Sequence, residues 1–409
     1  MAVRSWPRRP ACRVWCGGGE CRRPTTPPFT RRYEGSQVST PCPDTPALAA
    51  AVVGGGCAGL TLAHRLAADQ NGPVAVIDPG DPRPDHIWGY WDDGGEDLAL
   101  ARPFGEAAWR QWAVIDHGGK TVLTSNNFWY RAISSARFEN YLRATMPAVR
   151  QMRGTVAAAT RHAGGYRVAL ADGRELRAAR VFDSRPPAPP AGVLLQHFAG
   201  WQVRMDQPVF DPHTAILMDF RVSQEAGVHF IYLLPFSAEN ALVESTVFSP
   251  QVQPASWYDD QIATYLAAHY PTAGVTISSR EAGVIPLARL RPDGVFGTAV
   301  GMRAAALRAS SGYAFSQIQR QIADLTVRGG GARPGCDAIE AWMDQVLLRV
   351  LRGAPARAPE IFTRAAAALD GDAFARFMRG YGDWPGRLRL MSGLPMGLFL
   401  AAALGGAGR

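Results

Sequence analysis

Along residues 48–78 the hydrophobic pattern changes period in a fixed order. An unbroken apolar run at 48–53 stops at Gly54, Gly56 and Gly59, and an alanine- and leucine-rich stretch follows at 60–68. A second apolar run, 74–77, ends in Asp78. The spacing predicts strand, glycine turn, helix, strand and acid, the order of a dinucleotide-binding βαβ unit. Gly54 then permits the tight turn, Gly56 lets backbone N–H groups approach a diphosphate, and Gly59 lets helix and strand pack closely. The diphosphate rests on the positive end of the helix. Asp78, 19 residues beyond Gly59, is placed to accept hydrogen bonds from a ribose. Glycines that merely end a strand need neither the second strand nor the acid.

Beyond this unit comes an aromatic cluster at 86–91, continued by Trp109, Trp112, Phe128, Trp129 and Tyr130. Helical spacing at 138–146 and strand-like alternation at 166–170 follow, then an apolar stop at 181–185 before a proline-rich crossing. Short strands with turn chemistry between them are predicted at 202–205, 215–220, 230–234 and 241–246, with a helix at 257–269. Helices are expected at 318–325, 339–351 and 373–379. The expected fold class is α/β (α+β): a nucleotide-binding Rossmann domain at 47–194 and 284–330, interrupted by a mostly β substrate domain at 195–283. Residues 331–409 form a helical C-terminal cap. Residues 1–46, rich in Pro, Arg and Gly, are expected to be a disordered tail or an over-extended translation start.

Charge narrows the function. The chain carries a formal +8, of which +5 falls in residues 1–44. A body of only +3 argues against nucleic-acid binding. Four of the six cysteines, Cys12, Cys16, Cys21 and Cys42, lie in the N-terminal stretch without the paired spacing of a zinc site, so no metal is expected. Cys57 and Cys336 remain, in keeping with a reducing cytoplasm. No apolar h-region marks a signal peptide. The uncharged segment 390–408 is interrupted by Pro395 and many Gly and Ala, which predicts a buried or interfacial segment rather than a membrane span.

Several segments, in matching order across 48–400, resemble the bacterial and plant lycopene cyclases. They are Gly54 to Leu60, Ile87-Trp88 with Trp91, 130–138, 196–201, 217–220, 230–237, 241–248, 283–287 and Ser311-Gly312-Tyr313. The run Tyr232-Leu233-Leu234-Pro235-Phe236-Ser237, followed by Leu242-Val243-Glu244-Ser245-Thr246, is the most specific. The resemblance implies a glutathione-reductase-like FAD-binding fold and an isomerase that closes β-ionone rings on lycopene without net redox change. It implies FAD, active in its reduced form, with NADPH or NADH as reductant. It implies a cytoplasmic enzyme associated peripherally with membrane. Glu244 is the implied acid: protonating an isolated C=C bond needs a neutral carboxyl in an apolar tunnel, and burial raises a carboxyl pKa. Trp88, Trp91 and Tyr313 are implied to line the substrate site, where ring faces stabilise a cation by about 1–2 kcal/mol each when desolvated. Gly297, Gly301, Ser311 and Gly312 resemble the second flavin-contacting region. The chain departs from the family there, with Ala309-Ser310-Ser311 for Pro-Ser-Thr and Val300 for glycine. Asp183-Ser184-Arg185 resembles the family's Asp-x-Arg motif, read either as a cofactor anchor or as a structural ion pair. Rival readings are a flavin-dependent isoprenoid or lipid oxidoreductase or monooxygenase of the same fold, and a non-catalytic carotenoid- or flavin-binding protein.

Overall fold

A computed structural model describes residues 48–405 apart from 70–71, 163, 272–273 and 291–293, so the expectations for the N-terminal stretch and its cysteines lie outside the described residues. Three sheets organise the chain. In the first, Leu48–Val53 pairs in parallel with Val74–Asp78 on one side and Glu175–Asp183 on the other. Arg150–Arg153 extends the Val74–Asp78 edge, and an antiparallel ladder of Gly165–Leu170 and Val156–His162 extends the opposite edge. Ala50, Val52 and Val76 pack under the helix Cys57–Ala68, while Ala51, Val53 and Ile77 fill the opposite face. Burial on both faces explains why these strands read as unbroken apolar runs instead of alternating ones.

The second sheet has seven strands, in the order Val275–Leu287, Leu194–Met205, Asn240–Ser249, Val228–Pro235, Thr214–Asp219, Gln111–Asp116 and Gly119–Thr124. Residues 111–124, expected within the nucleotide domain, belong here instead. Gln111–Asp116 pairs in parallel with Thr214–Asp219, closing an edge that the hairpins leave open. Its residues alternate between the two cores on either side of the sheet, Trp112 and Val114 on one face and Ala113 and Ile115 on the other. Aromatic bulk at 109–112 obscured that period of two. Strand Val275–Leu287 likewise runs past the expected boundary at 283. A third sheet, Ile87–Asp92 with Trp129–Ser134 and Gly105–Trp109, bridges the two larger ones.

Helix Ala255–His269 covers one face of the second sheet through Ile262, Tyr265 and Leu266. The other face receives the C-terminal helices Ala338–Gly353, Ala358–Ala367 and Gly371–Met378, and Trp384–Gly393 and Met396–Ala403 pack against these helices in turn. Phe362 and Phe374 pack there against Phe220, Phe248, Trp91 and Trp112. Asp337, Asp370 and Asp383 start three of these helices by accepting backbone N–H groups at the free first turn. Segment 390–408 is thus divided between two helices, and no helix among the described residues is long and apolar enough to cross a membrane.

A buried charge cluster fastens the cap. Arg308 pairs with Glu340 (2.8 Å) and Asp344 (2.9 Å), lies over the Phe377 ring and donates to the Phe377 carbonyl. Ser310 Oγ donates to the same Asp344, so the 308–314 loop and the cap share one set of bonds. Removing one partner of such a network leaves uncompensated buried charge. Arg308→Ala is therefore expected to cost about 3–5 kcal/mol of stability, read as a lowered midpoint in urea unfolding followed by circular dichroism.

Candidate active site

The site has two ends. At the first, the loop between Leu48–Val53 and Cys57–Ala68 turns at Gly54, whose φ of 101° suits glycine. Ser184 Oγ steadies it, donating within reach of the Val53 (2.9 Å) and Gly54 (3.1 Å) carbonyls. A side chain at Gly59 would run into the Gly54 carbonyl oxygen, whereas one at Gly56 would meet only Arg83 Nη1, 3.9 Å away. The space above Gly56 is therefore a cradle that the protein itself does not use. Asp78 accepts the Gly55 (2.7 Å) and Gly80 (2.9 Å) N–H groups and pairs with Arg83 at 2.5 Å. Burial pushes its carboxyl up, but these hydrogen bonds and the guanidinium outweigh it and hold the group below its ordinary value. Arg83 and Arg143 both donate to the Gly55 carbonyl (2.6 and 2.8 Å). Sequence reading missed both; Arg83, five residues past Asp78, was the findable one. A helix N-terminus, an open cradle, two cations and a ribose-ready carboxylate fit the ADP half of a dinucleotide.

Asp183-x-Arg185 proves to be an ion pair (2.7 Å) with Asp183 fully buried, reinforced by Arg303 and by the Phe296 N–H. It supports the strand end beside the loop through Val300, whose N–H bonds the Asp183 carbonyl (2.9 Å). Val300 is extended at φ −140°, so valine fits where glycine was expected. Gly297 and Gly301 flank it with φ of 73° and 67°. Further on, Ser311 Oγ and Gln196 Oε1 are buried without a partner among the described residues, and Gly312 lies against that same Gln196 oxygen. Orphaned polar atoms at one end of a chain of contacts and an empty cradle at the other match the two halves of FAD.

The second end is a cavity of about 270 Å³. Trp88, Trp91 and Tyr313, the residues singled out as substrate-lining, all face it, with Phe198, Phe230, Phe248 and Leu217. Trp91 lies 5.0 Å from Tyr313 and 4.7 Å from Tyr130 between ring centroids. The Tyr130 hydroxyl bridges those of Tyr232 (2.7 Å) and Tyr313 (2.8 Å). Burial pushes all three phenols up, so they stay neutral.

Glu244 is the ionisable side chain that Asn240–Ser249 sends into this cavity. Alternation sends Leu242, Glu244, Thr246 and Phe248 to the cavity face, and Val243, Ser245 and Val247 to the face beneath the helix Ala255–His269. On that rear face His229 Nε2 meets Ser245 Oγ (3.0 Å) and His197 Nε2 meets Ser249 Oγ (2.8 Å). Burial brings both imidazoles down to about 4, leaving them neutral structural partners. Gly200 stands opposite Glu244 on one side and opposite Glu281 on the other. A Cβ at Gly200 would lie 2.7 Å from Glu244 Cγ and 3.4 Å from Glu281 Cγ, so its bareness makes the room that the pair occupies. Burial first, then the neighbouring Glu281, holds the Glu244 carboxyl well above the usual range. Burial also lifts Glu281, to about 7, against the lowering hydrogen bonds from Glu244 and the Ile87 N–H (3.0 Å). Sequence reading missed Glu281. Its signal was a carboxylate at an inward position, in phase with Gly283 and Ile285 on a buried strand. Among the described residues no group of three His, Cys, Asp or Glu is arranged to hold a metal ion.

A parallel-stranded nucleotide domain joined to an antiparallel sheet over an apolar cavity defines an FAD-dependent oxidoreductase type of fold. Solved structures with this fold include a geranylgeranyl bacteriochlorophyll reductase-like protein from Thermoplasma acidophilum (TM-score 0.55, 12% identity, 85% of this chain and 96% of that one). Another is Klebsiella pneumoniae HpxO complexed with FAD (TM-score 0.55, 13% identity, 85% and 99%). A family model described as lycopene cyclase protein matches residues 50–398, and the chain belongs to that family. Curated relatives named lycopene beta-cyclase are 32% identical over 181 residues in a Paracoccus species (42% of this chain, 45% of the relative) and 30% over 207 residues in Pseudescherichia vulneris (48% and 51%). Those two matches span about half the length of the relatives. A third, from Pantoea ananas, is 25% identical over 376 residues, covering 86% of this chain and 96% of that protein.

The cradle above Gly56 gives a direct test. Gly56→Val meets no protein atom closer than the flexible Arg83 tip, so it is expected to fold with a near-normal melting temperature yet purify without yellow colour. Absorbance and FAD titration of wild type and variant check this; wild type that is colourless and takes up no FAD contradicts the fit.

Proposed function

We propose that this protein is a lycopene β-cyclase, an isomerase that closes ψ-end groups into β-ionone rings by acid catalysis. The observation that carries this is Glu244: a buried, neutral carboxyl on a rigid strand at the wall of an aromatic cavity. A hydrocarbon end group offers nothing to hydrogen-bond, so shape and apolar contact position it and one acid activates it. Glu244 gives its proton to the terminal double bond, and the π pair forms the new C–H bond, leaving a tertiary cation. The neighbouring double bond attacks to close the ring, and loss of a ring proton restores neutrality. Trp88, Trp91, Tyr232 and Tyr313 line the cavity, where ring faces and neutral hydroxyl dipoles stabilise this charge. FAD would be held by Gly54, Gly56, Gly59 and Asp78 at its nucleotide end and by 311–313 at its ring end, with NADPH or NADH as reductant. Bound and reduced, it supplies negative charge beside the cation with no net change of oxidation level.

The cavity also suggests how a water-insoluble substrate arrives. Trp342 (48% exposed), Met391, Met396 (49%) and Leu400 (53%) line the cavity and face solvent, beside exposed Leu388 and Trp384. An apolar patch around a cavity mouth fits docking on a bilayer surface, which supports a cytoplasmic enzyme associated peripherally with membrane. Leu388→Asp with Leu400→Asp is expected to lower liposome affinity at least tenfold while leaving the fold and colour intact, read by vesicle co-sedimentation. Full recovery of wild type as free protein in the presence of liposomes contradicts the placement.

Expression in cells that accumulate lycopene tests the chemistry. Wild type is expected to convert the pigment to cyclic carotenes. Glu244→Gln, equal in size but unable to donate the proton, is expected to lose about 10²–10⁴-fold in turnover with cofactor uptake unchanged. In deuterated water each new ring is expected to carry one solvent deuteron. Near-normal turnover by Glu244→Gln removes it as donor, and nicotinamide consumption equimolar with product moves the protein to the oxidoreductase class.

A further inference from the structure

Glu281 sits on Val275–Leu287, two strands from the Glu244 strand and immediately across Gly200 from Glu244. It is buried to 6% exposure, its Oε2 accepts the Ile87 N–H at 3.0 Å, and its side chain lies beside that of Glu244, a Cβ at Gly200 falling 2.7 Å from the Glu244 Cγ and 3.4 Å from the Glu281 Cγ. Its Oε1 is buried without a hydrogen-bond partner among the described residues. Ile87 begins the strand that carries Trp88 and Trp91, so one main-chain bond ties this carboxyl to the aromatic wall. Two carboxyl groups side by side in an apolar interior are costly unless they share protons.

Resting on the cyclase reading, we infer that Glu281 is the positioning residue for proton delivery: held between Ile87 and Glu244, its protonated carboxyl donates a hydrogen bond to the Glu244 carboxylate as that group releases its proton. The O–H bond of Glu244 breaks, its hydrogen goes to the terminal alkene carbon, and Glu281 keeps its own proton. When the ring loses a proton, that proton returns to Glu244, so the pair ends as it began. With Glu281 ionised the hydrogen bond reverses: Glu244 donates to Glu281 and holds its proton more tightly. Delivery therefore weakens as pH rises through the titration of Glu281, near 7.

The tyrosines and the histidine around the pair stay neutral through that window. Tyr232 on the adjoining strand and Tyr313 on the 308–314 loop are held neutral by burial, as is Tyr130 behind them. His86, next to Ile87, is brought down to about 4 by burial. Asp85 is engaged by the Ser134 (2.8 Å) and Ser135 (2.9 Å) hydroxyls and the Ala136 N–H (2.9 Å). Arg280, the neighbour of Glu281, turns to the opposite face and pairs with Asp259. Gln196 and Thr246 carry no charge.

The test is the pH–rate profile of lycopene cyclisation in liposomes from pH 5 to 9, for wild type, Glu281→Ala and Glu281→Gln. Wild type is expected to lose turnover above about pH 7. Glu281→Ala is expected to fall about 10²-fold in kcat at every pH, with FAD uptake unchanged. Glu281→Gln supplies a permanent N–H donor, so it is expected to recover to within tenfold of wild type at pH 6 and to lack the alkaline fall. An alkaline fall retained by Glu281→Gln, or a wild-type profile flat from 6 to 9, overturns the inference while leaving the cyclase reading in place. A wild type that forms no rings at any pH overturns both. Should the Glu281 variants fail to fold, Gly200→Ala pushes the pair apart from a different strand. It is expected to lower kcat at least tenfold with KM within twofold, and full activity there likewise overturns the pairing.

Discussion

Everything around the cavity is arranged so that a carboxyl group can stay uncharged inside an apolar wall. Taking an ionised carboxylate out of water costs several kcal/mol even after relaxation, and the group escapes that cost by keeping its proton. Glu244 meets the condition because its strand is buried on both faces and its nearest ionisable neighbour is another carboxyl. The same low polarity keeps three phenols and two rear-face imidazoles neutral, so no nearby base drains the proton away.

The nucleotide end solves the opposite problem. There Asp78 and Glu139 face Arg83 and Arg143, and the helix Cys57–Ala68 adds its positive end. Charges are paired and the two guanidiniums remain partly exposed, as suits a site for a charged diphosphate. Between the two ends the 308–314 loop is fastened to the cap through the fully buried Arg308 cluster. An acid that must remain neutral is thereby separated from a site crowded with permanent charge by a span of aromatic and apolar side chains.

Much of this was legible in the sequence where local rules act alone. The turn at Gly54–Gly59, the strand ending at Asp78 and the helix of residues 257–269 follow from spacing and glycine geometry. Glu244, Trp88, Trp91 and Tyr313 came instead from the segments that carry the family resemblance. Glu281 was hidden because its meaning comes from pairing: only the register against Gly200 brings it to Glu244, 37 residues away along the chain. Strands 111–124 were missed for a similar reason, since their parallel partner is about a hundred residues downstream. Arg83 and Arg143 converge on one carbonyl from separate elements, which no local pattern reports.

The hairpin of Val228–Pro235 and Asn240–Ser249 also limits how this chain can vary over time. Its tip is closed by Phe236 and Ser237 N–H bonds to the Asn240 carbonyl and by Ser237 Oγ accepting from Glu239 and Asn240. A single residue inserted in Asn240–Ser249 ahead of Glu244 would exchange the two faces, carrying Glu244 beneath the helix Ala255–His269 and Ser245 into the cavity. Length changes are tolerable only at the tip, around 236–239, where the ladder has already ended. Descendants of this chain can therefore drift widely in loop length, the tip included, and in surface composition, while the register that sets Tyr232 across from Glu244 stays fixed by geometry alone.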